Sequence, residues 1–364
     1  MFTVTIFGAG SIGNHLAHAC RSKGWSVVMT DTDSTALERT RNDIYPARYG
    51  RFDEAIQLCD PQTLRNKPSD LVIIGTPPDS HIPIALDVLK HAPPKVLLLE
   101  KPLCPPSLEG CEKLVEMAKQ TGVTVLVGYN HVYTPQTVRA EELLASGFLG
   151  KPLTISAKTR EHWGGIFSAH PWLAGPRDSY LGFWERGGGA GCEHSHALNI
   201  WQHFAHLLGV GRVTEISAMM DMVETNGVRY DRVCQMSLRT ETGLVGLVAQ
   251  DVVTTPTEKS LRIQGDCGSL EWYVNIDPNH DGLRYRGSDG VLHEELFPKT
   301  RPDDFKGEID YVEDILTGRR AANYDELVKG LETMLVLAAA YHSQATGKTV
   351  SIDYGTGFGL NALS

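Results

Sequence analysis

The hydrophobic pattern changes style once along the chain. Up to about residue 130, short continuous apolar runs alternate with segments of helical spacing. Thr3–Phe7, Trp25–Met29, Leu71–Ile74 and Val96–Leu99 are such runs, and Thr124–Val127 begins another. Strands without polar alternation are covered on both faces, as in a parallel sheet. Between them, Ile12–Ser22, His81–His91 and Leu108–Gln120 carry apolar residues three and four apart, which predicts helices. This α/β alternation predicts a doubly wound, mostly parallel sheet of the Rossmann kind.

Beyond Tyr133 the runs lengthen and alternate. A helix is predicted at Gln136–Ser146 and a strand at Leu153–Thr159, followed by a Gly/Trp/Pro-rich irregular stretch from Trp163 to Gly191. Alternating strands then follow at Thr214–Val223, Val233–Arg239, Leu244–Val252 and Ser260–Gln264. They are joined by turn signals such as Thr225-Asn226-Gly227 and Gly265-Asp266-Cys267-Gly268. Helices are predicted at Gly191–Leu208, Lys306–Leu316 and Tyr324–Ala345. The expectation is an α+β second domain with an open, mainly antiparallel sheet. With 364 residues and no repeat or flexible linker, the division expected is 1–130 and 131–364.

Composition narrows the partners. A net charge of −10 without a basic stripe argues against nucleic acid or an anionic membrane. Seven cysteines without a CxxC pair fit free thiols rather than a disulfide frame or structural zinc. Neither a leader-like segment nor a membrane-length apolar run is visible, so the expected location is the cytoplasm.

Gly8-Ala9-Gly10-Ser11-Ile12-Gly13 has the G-x-G-x-x-G spacing, follows an apolar strand and opens a helix. Such glycines allow a tight turn, close backbone approach to a pyrophosphate and close helix packing, while the helix N-terminus favours the anion. Asp31, followed by Thr32, ends the second strand where a carboxylate accepts hydrogen bonds from an adenosine ribose. The expected cofactor is therefore NAD, with NADP less favoured because a 2′-phosphate would face that carboxylate. Arg39 or Arg41 are the basic residues an NADP site would have to recruit.

Three further strand ends carry unusual residues. These are Gly75-Thr76-Pro77-Pro78-Asp79-Ser80-His81, Glu100-Lys101-Pro102 and Gly128-Tyr129-Asn130-His131. In open α/β sheets ligands sit at the carboxyl ends of strands, so these clusters are expected to converge on one crevice. Pro102 restricts the backbone of Lys101 to extended conformations, and a lysine so aimed can hydrogen-bond a substrate oxygen during hydride transfer. The plainer alternative is a surface ion pair with Glu100.

With these features the sequence resembles the Gfo/Idh/MocA oxidoreductase family. The resemblance is carried by GAGSIG, TPPDSH, EKP at Glu100–Pro102, GYNHVYTP from Gly128, GGGAGCEHSHALNIW from Gly187 and the closing GLETMLVLAAAYHSQATGKTVSI. It implies a Rossmann domain followed by an open-sheet domain, NAD(P)-linked oxidation or reduction of sugars and cyclitols, and a homo-oligomer (dimer or tetramer) formed through that sheet. It also implies that Lys101 polarises the reacting oxygen, that Asn130 lines the nicotinamide end, and that His196 accepts the hydroxyl proton. Family members often carry an aspartate three or four residues before that histidine. Here Glu193 stands three before, and on one helix face it would orient the imidazole.

Cys192 and His196, four apart on a predicted helix, invite a metal reading, with His131, His162 or His170 as further ligands. No ligand set of known spacing supports it, and no metal is expected. Ile200, Phe204, Leu207 and Leu208 form the apolar stripe of that helix, which puts His203 and His206 towards solvent. Arg160 and Trp163, in a segment also rich in His and Gly, suit a sugar, the aromatic face covering C–H patches and Arg160 or Arg177 reaching an acidic group. The alternative is a loop packed by its tryptophans. The expected function is hydride transfer between nicotinamide and a secondary alcohol or ketone of a sugar, amino sugar or nucleotide sugar. The alternatives are an inositol or polyol dehydrogenase and a non-catalytic NAD(P) sensor, which has no need of Lys101 and His196.

Overall fold

The computed structural model describes residues 1–64, 67–300, 302–321 and 325–364. Its chain divides into two units. The first consists of Met1–Cys104, Gly110–Asn130 and Pro302–Gly330, the second of Pro105–Glu109, His131–Arg301 and Leu331–Ser364. A boundary thus falls between residues 130 and 131, but the first unit also draws in a segment from far along the chain.

In the first unit six strands pair in parallel: β1 (Thr3–Phe7), β2 (Ser26–Thr30), β3 (Ile56–Cys59), β4 (Leu71–Ile74), β5 (Val96–Leu99) and β6 (Thr124–Val127). Their order is β3-β2-β1-β4-β5-β6, which reverses direction between β1 and β4. β4, β5 and β6 are buried at every residue, which is why they read as unbroken apolar runs. Five helices accompany the sheet: α1 (Ser11–Ser22), α2 (Ser34–Arg39), α3 (Tyr45–Tyr49), α4 (Pro78–His91) and α5 (Cys111–Thr121). The added helix Asp303–Leu316 shares a core with α1 through Phe305, Ile309 and Val312, and Phe305 stacks on His15 at 4.7 Å.

The second unit holds a nine-stranded sheet of order β14-β13-β12-β11-β7-β10-β9-β8-β15. The strands are β7 (Pro152–Arg160), β8 (Val213–Thr225), β9 (Val228–Thr240), β10 (Val245–Asp251), β11 (Glu258–Gly265), β12 (Ser269–Asp277), β13 (His280–Arg286), β14 (His293–Pro298) and β15 (Val350–Ser351). β7 and β10 pair in parallel and the other neighbours are antiparallel. Asn226 and Gly227, both at positive φ, make the tight β8–β9 turn. The helices are α6 (Pro135–Ala145), α7 (Gly164–Ser168), α8 (Gly189–Glu193), α9 (His196–Leu207) and the part of Asp325–Thr346 from Leu331 onward. α9 lies on one sheet face: the Trp201 indole donates to the Ile155 carbonyl (2.9 Å), and a Cβ on Gly246 would meet that indole at 2.5 Å.

Two local expectations fail for physical reasons. The single helix predicted over Gly191–Leu208 is two, broken at His194–Ser195. Gln250 on β10 donates its amide to the Ala190 and Gly191 carbonyls, and the Ser195 N–H turns to Cys192 instead of Gly191. The strands β12, β13 and β14 were not predicted: β12 does alternate Leu270, Trp272 and Val274 with Glu271 and Tyr273, but β13 and β14 are short and largely polar. The predicted start of the last helix, Tyr324, lies outside the described residues.

Candidate active site

The three glycines of the first turn are needed for three different reasons. Gly8 has φ +106°, and a Cβ there would stand 2.6 Å from the Gly75 carbonyl oxygen. A Cβ on Gly13 would stand 2.1 Å from the Gly8 carbonyl oxygen, so α1 can pack on the turn only with glycine there. A Cβ on Gly10 would meet nothing within 4 Å. Gly8 and Gly13 are therefore demanded by the protein itself. The bare middle glycine leaves backbone open to a ligand, at the N-cap of α1 where an anion is favoured.

Asp31 closes the other side of the turn. Its Oδ2 accepts the Ala9 N–H (2.9 Å) and its Oδ1 the Asp33 N–H (2.9 Å), while Thr32 is exposed. Arg39 donates to Thr35 (2.8 Å) and Asp33 (3.2 Å), and Arg41 donates to Glu54 (2.9 Å). Ser11 and Ile12 are half-buried at the start of α1. The sequence did not reveal Asn14, Thr40 or Arg48, which also bind this turn.

At the end of β4, Gly75 donates its N–H to the Phe7 carbonyl (2.8 Å), and Pro77 and Pro78 lead into α4. Thr76 is held from both ends: its hydroxyl lies 2.7 Å from Ser80 Oγ and its carbonyl 2.6 Å from His81 Nε2. His81 is wholly buried, and its Nδ1 lies 3.1 Å from the Pro102 carbonyl. It straps TPPDSH to EKP, and burial holds it below the usual histidine range. Glu100 is buried over Gly128, where a Cβ would come within 2.9 Å of its carboxylate. Lys101 follows at the carboxyl end of β5, half-buried. Asn130 is buried, and its Oδ1 has no hydrogen-bond partner among the described residues.

Beneath EKP lies a group with no signal in the sequence. Glu308, from the added helix, is buried, and neither carboxylate oxygen has a partner among the described residues. Burial, and then the charges of Glu100 and Asp304, push its carboxyl well above the usual range.

In the second unit the segment 189–200 is buried at every residue except Glu193 and His196, which are both half-buried. They do not share one helix: Glu193 ends α8 and His196 begins α9. The Tyr180 hydroxyl donates to Glu193 (3.2 Å). His196 stacks on His131, ring centroids 4.3 Å apart, and Trp272 lies 5.8 Å from the other ring. The His131 carbonyl accepts hydroxyls from Thr134 (2.9 Å) and Thr137 (2.7 Å), and Thr137 is itself bonded by the Trp272 indole (2.9 Å). His131 is thus placed against the predicted base.

The loop residues are more engaged than expected. Arg160 donates to the buried Asp251 (2.6 Å) and lies 3.6 Å from Glu258. Burial opposes ionisation of Asp251, but Arg160, Thr254 and two backbone N–H groups outweigh it and lower its pKa. Trp163 is 6 % exposed and packs with Leu181, Ala190 and Val252. His203 and His206 bind Glu141 and Glu332, each at 2.7 Å. Among the described residues no group of three or more His, Cys, Asp or Glu is placed to hold a metal ion, and Cys192 is wholly buried. No helix among them is long and apolar enough to cross a membrane.

The bare Gly10, the capping Asp31 and the orphaned Asn130 oxygen fit a dinucleotide. Residues 2–129 match the family model described as an oxidoreductase family with an NAD-binding Rossmann fold, and residues 137–271 match the GFO/IDH/MocA C-terminal domain. The chain is 30% identical over 197 residues to 1-carboxy-3-chloro-3,4-dihydroxycyclohexa-1,5-diene dehydrogenase of Comamonas testosteroni, covering 53% of this chain and 43% of that one. It is 36% identical over 91 residues to inositol 2-dehydrogenase of Rubrobacter xylanophilus, 25% of each chain. The matched stretches thus span less than half of these relatives. In fold it resembles levoglucosan dehydrogenase solved with NADH and levoglucosan, at TM-score 0.76, 17% identity and coverage of 97% and 99%. On these matches the chain belongs to the GFO/IDH/MocA family of oxidoreductases and carries its NAD-binding Rossmann domain.

Proposed function

We propose that this protein is an NAD-dependent dehydrogenase or reductase acting on a secondary alcohol, or the matching ketone, of a sugar or cyclic polyol. The observation that carries the reading is Lys101 leaving β5 at the same carboxyl edge of the parallel sheet as the glycine turn. Gly8–Gly13, Asp31, Gly75–Pro78 and Asn130 hold the cofactor. NAD is favoured over NADP because Asp31 stands at the ribose position and Arg39 is engaged with Asp33 and Thr35. Bound NAD supplies one thing, acceptance or delivery of a hydride at the nicotinamide. Lys101 donates to the substrate oxygen and stabilises its developing negative charge. His196 takes the hydroxyl proton as the C–H hydride departs, and returns it in reduction. Glu193, bonded by Tyr180 at the end of α8, is assigned the orienting of that imidazole across the break between the two helices. The relatives' names supply the substrate class, since inositol and levoglucosan both carry secondary hydroxyls on a ring. Self-association through the open sheet face belongs to the same reading.

Lys101→Met tests it. Turnover of a sugar and polyol panel, followed by NADH absorbance, should fall at least about 1000-fold while NADH binding stays within about twofold. Retained turnover overturns the role of Lys101. Tight NADH binding by the unaltered protein with no turnover of any panel member favours a sensor instead.

A further inference from the structure

Residues 40–49 wrap back onto the glycine turn. α2 does not stop at Arg39 but continues through a π turn, Thr40–Ile44, into α3. Such widened turns recur at functional sites. Thr40 is wholly buried; its hydroxyl donates to the Ala9 carbonyl (2.9 Å) and lies 3.0 Å from Asn14 Nδ2. The same Asn14 amide donates to the Gly10 carbonyl (2.8 Å). Two carbonyl oxygens of the turn are thereby occupied by donors.

From α3, Arg48 reaches the next residue. Its Nη1 lies 2.7 Å from the Ser11 carbonyl oxygen and its Nη2 2.6 Å from Ser11 Oγ. Ser11 is the first residue of α1, immediately after the glycine whose backbone faces open space. The platform beneath Arg48 is tied together by side-chain contacts. Tyr49 lies 2.6 Å from His15 Nδ1 and stacks on His18 at 3.6 Å, and Tyr45 lies 3.2 Å from His18 Nδ1. A guanidinium fixed in this way loses little further freedom when it meets an anion.

We propose that Arg48 is a cofactor-binding residue whose guanidinium pairs with the pyrophosphate held at Gly8–Gly13. The proposal rests on the reading of that turn as the pyrophosphate site. Electrostatics supplies the need: the Asp31 carboxylate, 2.9 Å from the Ala9 nitrogen, puts negative charge beside the turn. A pyrophosphate brings two more, and the backbone N–H groups and helix terminus offer only partial positive charge. Thr40 and Asn14 act as positioning residues, keeping the turn's carbonyls bonded while the anion approaches.

The test uses the full chain, NADH fluorescence, and ADP and adenosine as competitors, with Arg48→Gln and Arg48→Lys beside the unaltered protein. ADP carries the phosphates and adenosine lacks them. Arg48→Gln should weaken NADH and ADP by about 10–100-fold, leave adenosine within about twofold, and flatten the salt dependence of NADH binding. Arg48→Lys, which keeps the charge without the fork, should fall between. Thermal unfolding of the unliganded variants establishes that they are folded, and Arg48→Lys carries the ADP-to-adenosine comparison if the glutamine variant is not. Equal losses for ADP and adenosine make Arg48 a strut of the turn and overturn the proposal, as does an unchanged ADP affinity. If the unaltered protein binds NADH but ADP does not compete, the pyrophosphate reading itself fails, and this assignment with it.

Discussion

Asp231 has no exposed surface and sits on β9 against the first turn of α8. One carboxylate oxygen accepts the Tyr341 hydroxyl (2.6 Å) and the other the Gly191 N–H (2.7 Å). Gly189, at φ +81°, lets α8 pass so close that a Cβ there would stand 1.9 Å from Oδ1. Burial raises the Asp231 carboxyl to about 7, with Tyr341, the Gly191 N–H and its own N–H pulling the other way. In the unfolded chain the same group titrates near 3.8. Between these values the folded protein binds a proton that the unfolded chain does not. Its stabilising contribution is therefore full below about pH 4 and lost as the pH rises through about 7.

The shift of about three pKa units is worth about 4 kcal/mol at 1.36 kcal/mol each, of which about 3 kcal/mol falls between pH 5 and 8. Asp231→Asn keeps the Gly191 bond through its oxygen, reverses the other so that its amide N–H donates to the Tyr341 oxygen, and has no charge to bury. The variant should equal or exceed the unaltered protein in stability at pH 8. It should fall behind by about 3 kcal/mol, relative to that, at pH 5. Asp231→Ala orphans two donors and should cost about 2–4 kcal/mol at every pH. Urea unfolding at unit pH steps from 5 to 8 reads all three proteins. A gap between the asparagine variant and the unaltered protein that is the same at pH 5 and pH 8 refutes the argument that burial of this charge sets the dependence.

Gly10→Ala should leave thermal stability within about 0.5 kcal/mol because its Cβ meets open space, yet weaken NADH at least about tenfold. Gly13→Ala should instead destabilise the unliganded protein by at least about 2 kcal/mol, since its Cβ would collide with the Gly8 carbonyl; equal melting of the two variants would contradict this division. Leu247 and Val245, 46% and 50% exposed on the uncovered face of β10, should be masked in an oligomer. Leu247→Lys should then shift the mass seen by light scattering towards the monomer without changing NADH affinity, and an unaltered protein that is already monomeric removes the oligomer from the reading.

The elements that were legible are those whose signal is local. β1, β4 and β5 match the apolar runs residue for residue, because strands covered on both faces need no partner to define their pattern. Gly8 and Gly13 announced their turn because backbone sterics restrict those two positions to glycine, and Gly10 completed the spacing although its Cβ would meet open space. The β8–β9 hairpin was visible in Asn226-Gly227, whose left-handed conformations suit those two residues. β12–β14 were not read: β12 alternates, but β13 and β14 carry too few apolar residues to show a period, and the pairing that holds them lies in the neighbouring strands.

By itself, then, the sequence determined a parallel dinucleotide-binding sheet, its glycine turn, the EKP lysine and an alternating second sheet, all written in spacings of a few residues. Only the tertiary structure decided the rest. Gln250 bonds the Gly191 carbonyl from 59 residues away and so breaks the helix between Glu193 and His196, His131 comes onto His196, Glu308 is buried near Glu100, and Arg48 arrives at Ser11 from 37 residues along the chain. Hydrogen bonds, ring contacts and desolvation act through space. A residue's neighbours along the chain therefore carry no trace of them until the chain has folded.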